Sequence, residues 1–222
     1  MEIYIPPPQW LTDAGPECDV VLSTRCRLAR NLAGVPFPWR ATEGQRKQVA
    51  QAVLDAVERC GAELGQAQRV RGDALDTATI TQLLEWQYAS RAWMESGMHR
   101  WLLAWPDRAT SLLVNEEDHL RLQAILPGLQ VESNLEAVYR TERALASVLS
   151  FAHDERIGFL TTSLNNAGTG LRASVLLHLA GLATSSRLST VLGAAAEVGC
   201  SVRGLYGEGT RGTGDLFQIS NT

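Results

Sequence analysis

The sequence has no Cys-x-x-Cys pair and no cysteine–histidine spacing of the kind that holds a metal. Its four cysteines, Cys18, Cys26, Cys60 and Cys200, are widely scattered and read as reduced thiols in a cytoplasmic protein. No apolar run approaches the roughly 20 residues that would cross a membrane. Residues Met1 to Trp10 lack the basic start and apolar stretch of a signal peptide. Positive charge is not in excess: 20 Lys and Arg face 24 Asp and Glu, a net charge of −4. That balance leaves no global footprint for nucleic acid or for an anionic membrane surface. Internal repeats and low-complexity tracts are also missing. What is present is an ordinary globular composition, 45% hydrophobic and 20% charged, over 222 residues, a length that permits one domain or two.

Against that background three stretches stand out. Val114-Asn115-Glu116-Glu117-Asp118-His119-Leu120-Arg121 packs three carboxylates, a histidine and an arginine behind the apolar run Leu112-Leu113-Val114. By itself it reads as a solvated turn after a strand. Ser23 to Asn31 carries Arg25, Arg27 and Arg30. In extended chain Arg25 and Arg27 point to the same side, which makes either a solvated basic loop or an anion clamp. Asn165-Asn166-Ala167-Gly168-Thr169-Gly170, followed by Arg172, has two glycines two apart. They permit a tight turn and close approach of backbone N–H groups to an anion. The turn has neither the lysine nor the spacing of a P-loop, and it is not a Gly-x-Gly-x-x-Gly fingerprint. A carboxylate pair, an arginine cluster and a glycine turn ending in arginine are nonetheless the parts that phosphoryl transfer needs.

The rest of the chain supplies a frame. Residues 1–18, with Pro6-Pro7-Pro8 and Gly15-Pro16, read as an extended arm. Asp19 to Thr24, with Val20-Val21-Leu22, predicts a short strand that delivers the arginines. Thr42 and Gln45 form a capping box for a helix whose apolar face is Val49, Val53, Val57 and Cys60, with Gly61 as the stop. Residues 61–76 read as loop or poor helix. A helix is expected from Thr77 to Met94, with Ile80, Leu83, Leu84 and Trp93 inward. Trp101–Trp105 and Ala109–Val114 predict a hairpin around Pro106-Asp107. Ser133 or Asn134 caps a further helix bearing Leu135, Val138, Leu145 and Leu149. Gly158–Thr162 reads as a strand, Ala173–Leu182 and Ser186–Val198 as helices, and Cys200–Leu205 and Leu216–Ile219 as strands. Between those last strands, Gly204 to Gly209 is a glycine-studded loop, read as a mobile flap or an ordinary surface hairpin.

Taken together, STRCRLARN (23–31), VNEEDHLRLQ (114–123), GFLTTSLNNAGTGLRASVLLHL (158–179) and VRGLYGEG with FQISN (202–221) resemble the ATP:guanido phosphotransferase family, and most closely its bacterial branch, the protein arginine kinases. The likeness runs from about residue 19 onward. It implies a single α+β catalytic domain over 19–222, a mostly antiparallel β-sheet flanked by helices. It also implies ATP-dependent transfer of a phosphoryl group to arginine side chains of proteins, with Mg²⁺. The arginine motif begins near the N-terminus, as in the protein arginine kinases, whereas phosphagen kinases carry a further N-terminal helical domain. An open site of that kind suits an arginine on a polypeptide. The C-terminal region that protein arginine kinases associate with dimerisation and phosphoarginine sensing has no counterpart up to Thr222.

By the same resemblance Arg25, Arg27, Arg121, Arg172 and Arg203 hold the nucleotide phosphates. Glu117 is the catalytic carboxylate and Glu208 the second one, two carboxylates gripping one planar guanidinium. Glu116 is structural, or reaches the metal through water. Ser163 and Asn166 lie near the substrate, and Ser163 stands where the family usually has a cysteine, followed by Leu164 instead of proline. Gln87 replaces a common histidine, Leu176 replaces the adenine-side histidine of eukaryotic phosphagen kinases, and His178 reads as a helix-packing residue. Implied partners are arginine-containing proteins, a stress-response repressor and Clp-type protease machinery. Two other readings stay open: a kinase of free arginine or another small guanidino compound, and a weakly active regulatory or phosphoarginine-binding module.

Overall fold

The computed structural model describes residues 5–204 and 213–221. Among the described residues eight helices occur in chain order: α1 (Gln9–Thr12), α2 (Glu43–Arg59), α3 (Gly61–Leu64), α4 (Thr77–Glu85), α5 (Arg91–Glu95), α6 (Val131–Ala146), α7 (Ala180–Thr184) and α8 (Leu188–Glu197). The strands are β1 (Val21–Arg30), β2 (Gln68–Arg71), β3 (Trp101–Trp105), β4 (Thr110–Val114), β5 (Leu120–Pro127), β6 (His153–Asp154), β7 (Gly158–Phe159), β8 (Leu171–His178), β9 (Cys200–Gly204) and β10 (Leu216–Asn221). The larger sheet has the hydrogen-bonded order β2-β3-β4-β5-β1-β8-β10-β9, and β6 pairs with β7. The fold is thus a mostly antiparallel sheet flanked by helices, as expected. The chain divides into two compact units: Met1–Pro8, Arg27–Ala124 and Glu136–Leu171 in the first, Gln9–Cys26, Ile125–Leu135 and Arg172–Thr222 in the second.

In the first unit, β3 and β4 form the expected hairpin, turned by Pro106–Arg108 with Ala109 at φ 52°. Strand β4 then pairs with β5 in the register Val114↔Leu120. The sequence reading left Leu120–Pro127 without structure. It is a strand because its apolar positions, Leu120, Leu122 and Ala124, are buried in alternation against β4. Strand β2 lies within the stretch read as loop. Val70 is its single buried position, so four residues carry too little periodicity to announce it.

Helix α2 carries the capping box foreseen at Thr42 and Gln45, with Val49, Val53 and Val57 buried. It runs on through Cys60 into α3, and the stop is Gly65 at φ 75°, not Gly61. The helix expected from Thr77 to Met94 is broken between α4 and α5, where Gln87 takes φ 59°. Tyr88 and Trp93 are both buried in the core formed with Val70, Leu83, Leu102 and Leu113. Five residues advance an unbroken helix by about 500°, which would set those two rings on different faces. The break lets both turn inward, and Trp93 Nε1 donates to the Val114 carbonyl at 3.2 Å.

In the second unit, Thr24 fixes the start of α6. Its hydroxyl donates to Gly128 O at 2.6 Å and accepts from Gln130 N, while Asn134 Nδ2 donates to Thr24 O. The helix therefore begins at Val131, and Asn134 sits inside it as a buried strut instead of a cap. The segment read as a helix from Ala173 is strand β8. It pairs with β10 over Ser174↔Ser220 to His178↔Leu216, and only Ala180–Thr184 is helical. A short apolar run such as Val175-Leu176-Leu177 suits either structure, and the neighbouring strand decides it. Strands β9 and β10 and helix α8 lie where the sequence placed them.

Candidate active site

The arginine motif is strand, not loop. The strand expected to stop near Thr24 continues to Arg30, with Thr24, Cys26, Leu28 and Arg30 buried and Arg25, Arg27 and Ala29 half-buried on the opposite face. Arg25 and Arg27 therefore share a face, as alternation requires. Arg30 goes the other way and is sealed in the first unit. Its Nε donates to Glu142 at 3.0 Å, its Nη1 to the carbonyls of Ala29 and Thr169, and its guanidinium lies 3.5 Å above the Phe159 ring.

The acidic stretch is the tip of the β4–β5 hairpin. Asn115 N donates to His119 O at 3.0 Å and Glu116 N to Asp118 O at 3.1 Å, with Asn115 at φ 56°. The expectation of a solvated turn fails for four of these five residues: Asn115, Glu116, Asp118 and His119 are buried. Glu117, at the apex, is exposed. Hydrogen bonds hold each buried neighbour in place: Asn115 Nδ2 donates to the carbonyls of Arg46 and His99 at 2.9 Å. Glu116 Oε1 accepts from Arg121 Nη1 and from Ser90 Oγ. Asp118 Oδ1 accepts from Asn31 Nδ2 at 2.6 Å and from Thr162 N at 2.7 Å. His119 Nδ1 accepts from Leu32 N, and its Nε2 meets Pro36 O.

Glu117 is consequently held out of the protein on a rigid base. Partial desolvation raises its pKa above the ordinary carboxylate range; Asp118 and Glu116 push it further up, while Arg121 and Arg27 oppose them. A carboxylate that is exposed, braced and more basic than usual is suited to accepting a proton.

The Ser163–Asn166 turn follows at once in the same unit. Thr162 Oγ1 donates to Glu117 O at 2.8 Å, and Thr161 Oγ1 to Ser163 O at 2.7 Å. Leu164, on this turn, is 88% exposed. The glycines next to it have a packing role that the sequence reading did not foresee. Gly168 N donates to Phe159 O, and a Cβ on Gly170 would lie 2.5 Å from Arg30 Nη1 and 2.7 Å from Ala29 O. They fit the turn closely against β1 and β7.

In the second unit, Arg172 lies in β8 and Arg203 in β9. The registers Ser220↔Ser174 and Gln218↔Arg203 set both arginines on one face, with Ser174, Gln218 and Ser220 between them. Arg172 Nη2 donates to Ser220 Oγ at 2.9 Å, and Gln218 Nε2 to Ser174 Oγ at 3.0 Å. The Nε atoms of Arg25, Arg27, Arg172 and Arg203 are all buried, so each side chain is rooted along its length. Leu176 is buried on β8, and His178 is exposed at the end of that strand. Gln87 gives its carbonyl to Gln123 Nε2. Glu208 lies outside the described residues. Among the described residues no three His, Cys, Asp or Glu side chains gather as a metal site, and no helix is long and apolar enough to cross a membrane.

The sequence reading did not assign roles to Asn31, Ser90, Asp118 or Thr162. Asn31 and Asp118 sit inside motifs already singled out, but spacing along a chain does not show which side chains will meet.

Comparison with known proteins agrees with this geometry. Residues 48–222 match the family described as ATP:guanido phosphotransferase, C-terminal catalytic domain. The protein-arginine kinase of Halothermothrix orenii is 40% identical over 212 residues, which is 96% of this chain and 60% of that protein. The protein-arginine kinase of Pelotomaculum thermopropionicum is 40% identical over 214 residues, with the same shares. The chain thus spans about 60% of the length of these curated relatives. Among solved structures, the duplicated taurocyamine kinase from Schistosoma mansoni with bound transition state analog components superposes with a TM-score of 0.78 at 25% identity, over 97% of this chain and 32% of that one. On the family match across most of its length, this chain belongs to the ATP:guanido phosphotransferases.

Proposed function

We propose that this chain phosphorylates arginine side chains of proteins, using MgATP as the phosphoryl donor and releasing ADP. The observation that carries the proposal is Glu117: the exposed apex of a hairpin whose other acidic residues are buried and bonded, with a raised pKa. A guanidinium has a pKa above about 12 and is a poor nucleophile until a base orients it and takes its proton. In the proposed reaction a guanidinium nitrogen attacks the γ-phosphorus, the bond from phosphorus to the ADP oxygen breaks, and the nitrogen's proton passes to Glu117. Bound MgATP supplies the phosphoryl group, with the metal offsetting part of its charge.

The residues present suit that substrate. Mg²⁺ in such sites is commonly carried by phosphates and one or two carboxylates, so the lack of a three-ligand cluster among the described residues is compatible with it. By the family resemblance Arg25, Arg27, Arg121, Arg172 and Arg203 are proposed to take the phosphates, since fixed guanidinium forks match phosphate oxygens. Glu208 is proposed as the second carboxylate on the guanidinium, with Ser163 and Asn166 beside it. Protein substrates are favoured over free arginine because the relatives at 40% identity are named protein-arginine kinases. The family resemblance extends the proposal to a cytoplasmic setting with a stress-response repressor and Clp-type protease as partners.

The test uses the purified chain, MgATP and an unstructured arginine-rich protein, with free L-arginine in parallel. Acid-labile phosphate is located by mass spectrometry under neutral handling. Phosphoarginine on the protein, abolished by Glu117→Gln, is the expected result. Label confined to free arginine moves the activity to small guanidino compounds. No label on either, with ATP still bound, makes the chain a regulatory module.

A further inference from the structure

Asp118 is buried, yet it does not simply fill space. A carboxylate out of water must be repaid by donors. Here one oxygen takes two: Asn31 Nδ2 at 2.6 Å and Thr162 N at 2.7 Å. Asn31, itself fully buried, completes the connection. Its Oδ1 accepts from His119 N at 2.9 Å, and its Nδ2 also reaches Leu160 O at 3.1 Å. Three separate segments of the first unit are thereby joined at one point: the end of β1, the tip of the β4–β5 hairpin, and residues 160–162. The next bond outward is from Thr162 Oγ1 to the carbonyl of Glu117 at 2.8 Å. The next residue along the chain is Ser163, whose own carbonyl is held by Thr161 Oγ1.

We infer that Asp118, acting through Thr162, is a positioning residue that fixes the separation between Glu117 and the Ser163–Asn166 turn, and so sets the slot that receives the substrate guanidinium. The inference rests on the proposed role of Glu117 as base. A guanidinium is planar and rigid, so its nitrogen is delivered in line only if the groups on either side of it keep their spacing. Two charge-assisted or backbone hydrogen bonds onto one buried carboxylate hold that spacing more firmly than apolar packing would, because they are directional.

Thr162→Val is the informative substitution. It keeps the Thr162 N–H that bonds Asp118 and the shape of the side chain, and deletes only the hydroxyl bonded to Glu117. Thr162 is half-buried, so the variant should fold as the unsubstituted chain does, a point checked by its melting curve. Expected is a fall in kcat of about fivefold with the KM for MgATP unchanged, as for loss of one orienting hydrogen bond. Thr162→Ser should restore kcat. Asp118→Asn keeps an acceptor oxygen but not the charge, and should lower kcat by more than about tenfold. Unchanged kcat in Thr162→Val, or a loss that Thr162→Ser does not repair, overturns the inference, as does a loss carried by the KM for MgATP. Glu117→Gln in the same assay separates the two levels. If it is inactive while Thr162→Val turns over normally, only the positioning role is lost. If Glu117→Gln turns over normally, or the unsubstituted chain has no activity, the reading beneath it fails as well.

Discussion

Ser90 and Arg121 meet on a single oxygen of Glu116: the serine hydroxyl that caps α5 by accepting from Trp93 N also donates to Glu116 Oε1, which receives Arg121 Nη1. The Glu116 side chain is 1% exposed and that of Arg121 is 22% exposed. A buried carboxylate thus aims a half-open guanidinium, and the break between α4 and α5 puts the serine in reach.

That relationship predicts a division of effects. Ser90→Ala removes both a helix cap and a donor to Glu116, and should cost about 1–2 kcal/mol of stability in urea denaturation. Glu116→Gln removes the charge that orients Arg121. It should raise the KM for MgATP by about tenfold while changing kcat less, since the arginine's proposed task is holding phosphate. Steady-state kinetics with varied MgATP decides between this and a direct role of Glu116 in the chemical step, which would appear in kcat.

His119 predicts a pH dependence. Nδ1 accepts from Leu32 N at 3.0 Å, so Nε2 carries the proton and donates to Pro36 O at 3.1 Å; the ring is neutral. Burial pushes its pKa from 6.5 down to about 4. Above pH 6.5 the ring is neutral in both folded and unfolded chains. Between 6.5 and 4 only the unfolded chain binds the proton, so stability is lost as pH falls through that window, by about 3 kcal/mol. Urea denaturation at a series of pH values checks this. His119→Gln, less stable at pH 7, should lack this component of the slope; an identical slope in the variant assigns the effect to other groups.

How much of this could be read beforehand depends on the range of the interaction. The capping box at Thr42 and Gln45, the turn at Pro106–Arg108 and the alternation that pairs Arg25 with Arg27 are local, and a few residues of sequence are enough to specify them. The conversion of Ala173–His178 from expected helix to strand depends on β10, some forty residues away, and its own apolar run suits both. The site divides in the same way. Glu117 is recognisable within its motif, but the burial of Glu116, Asp118 and His119 on either side of it depends on Ser90, on Asn31 and Pro36, and on Thr162, which come from three other segments. The glycines of Gly168–Gly170 marked a special turn correctly. Why Gly170 must be glycine became visible only with Arg30 packed against it.

Arg30 and Glu142 form a buried ion pair at 3.0 Å, with side chains 1% and 9% exposed. Removing one charge leaves the other stranded, so Arg30→Met should destabilise the chain by about 3–5 kcal/mol, and Arg30→Met with Glu142→Leu should recover much of that loss. Gly170→Ala tests the same packing from the other side. Its φ of +65° and the 2.5 Å approach to Arg30 Nη1 predict a cost of about 1–3 kcal/mol. Thermal and urea denaturation of these variants, with Glu142→Leu alone completing the cycle, measure all of these; additive effects for Arg30 and Glu142 would show that the pair is not coupled.

Ser163 offers the sharpest chemical contrast with the family, which usually has a cysteine at this position. A serine hydroxyl gives no thiolate near neutral pH, whereas a cysteine with pKa near 8.5 does. Two of the cysteines, Cys26 and Cys60, are buried, and burial pushes the Cys26 thiol up to about 11. An alkylating reagent such as iodoacetamide should therefore modify the exposed Cys18 while leaving turnover intact. Ser163→Cys should raise turnover, because the proposed site sets residue 163 beside the guanidinium and the turn that carries it is already fixed through Thr161 and Thr162. The same substitution should make the proposed activity sensitive to alkylation, with MgATP and an arginine-rich protein slowing the loss. Mass spectrometry locates the alkylated thiol and initial rates follow the activity. Inactivation of the unsubstituted chain would mean that another cysteine matters to catalysis; a Ser163→Cys variant that alkylates without losing activity would move residue 163 away from the reacting groups.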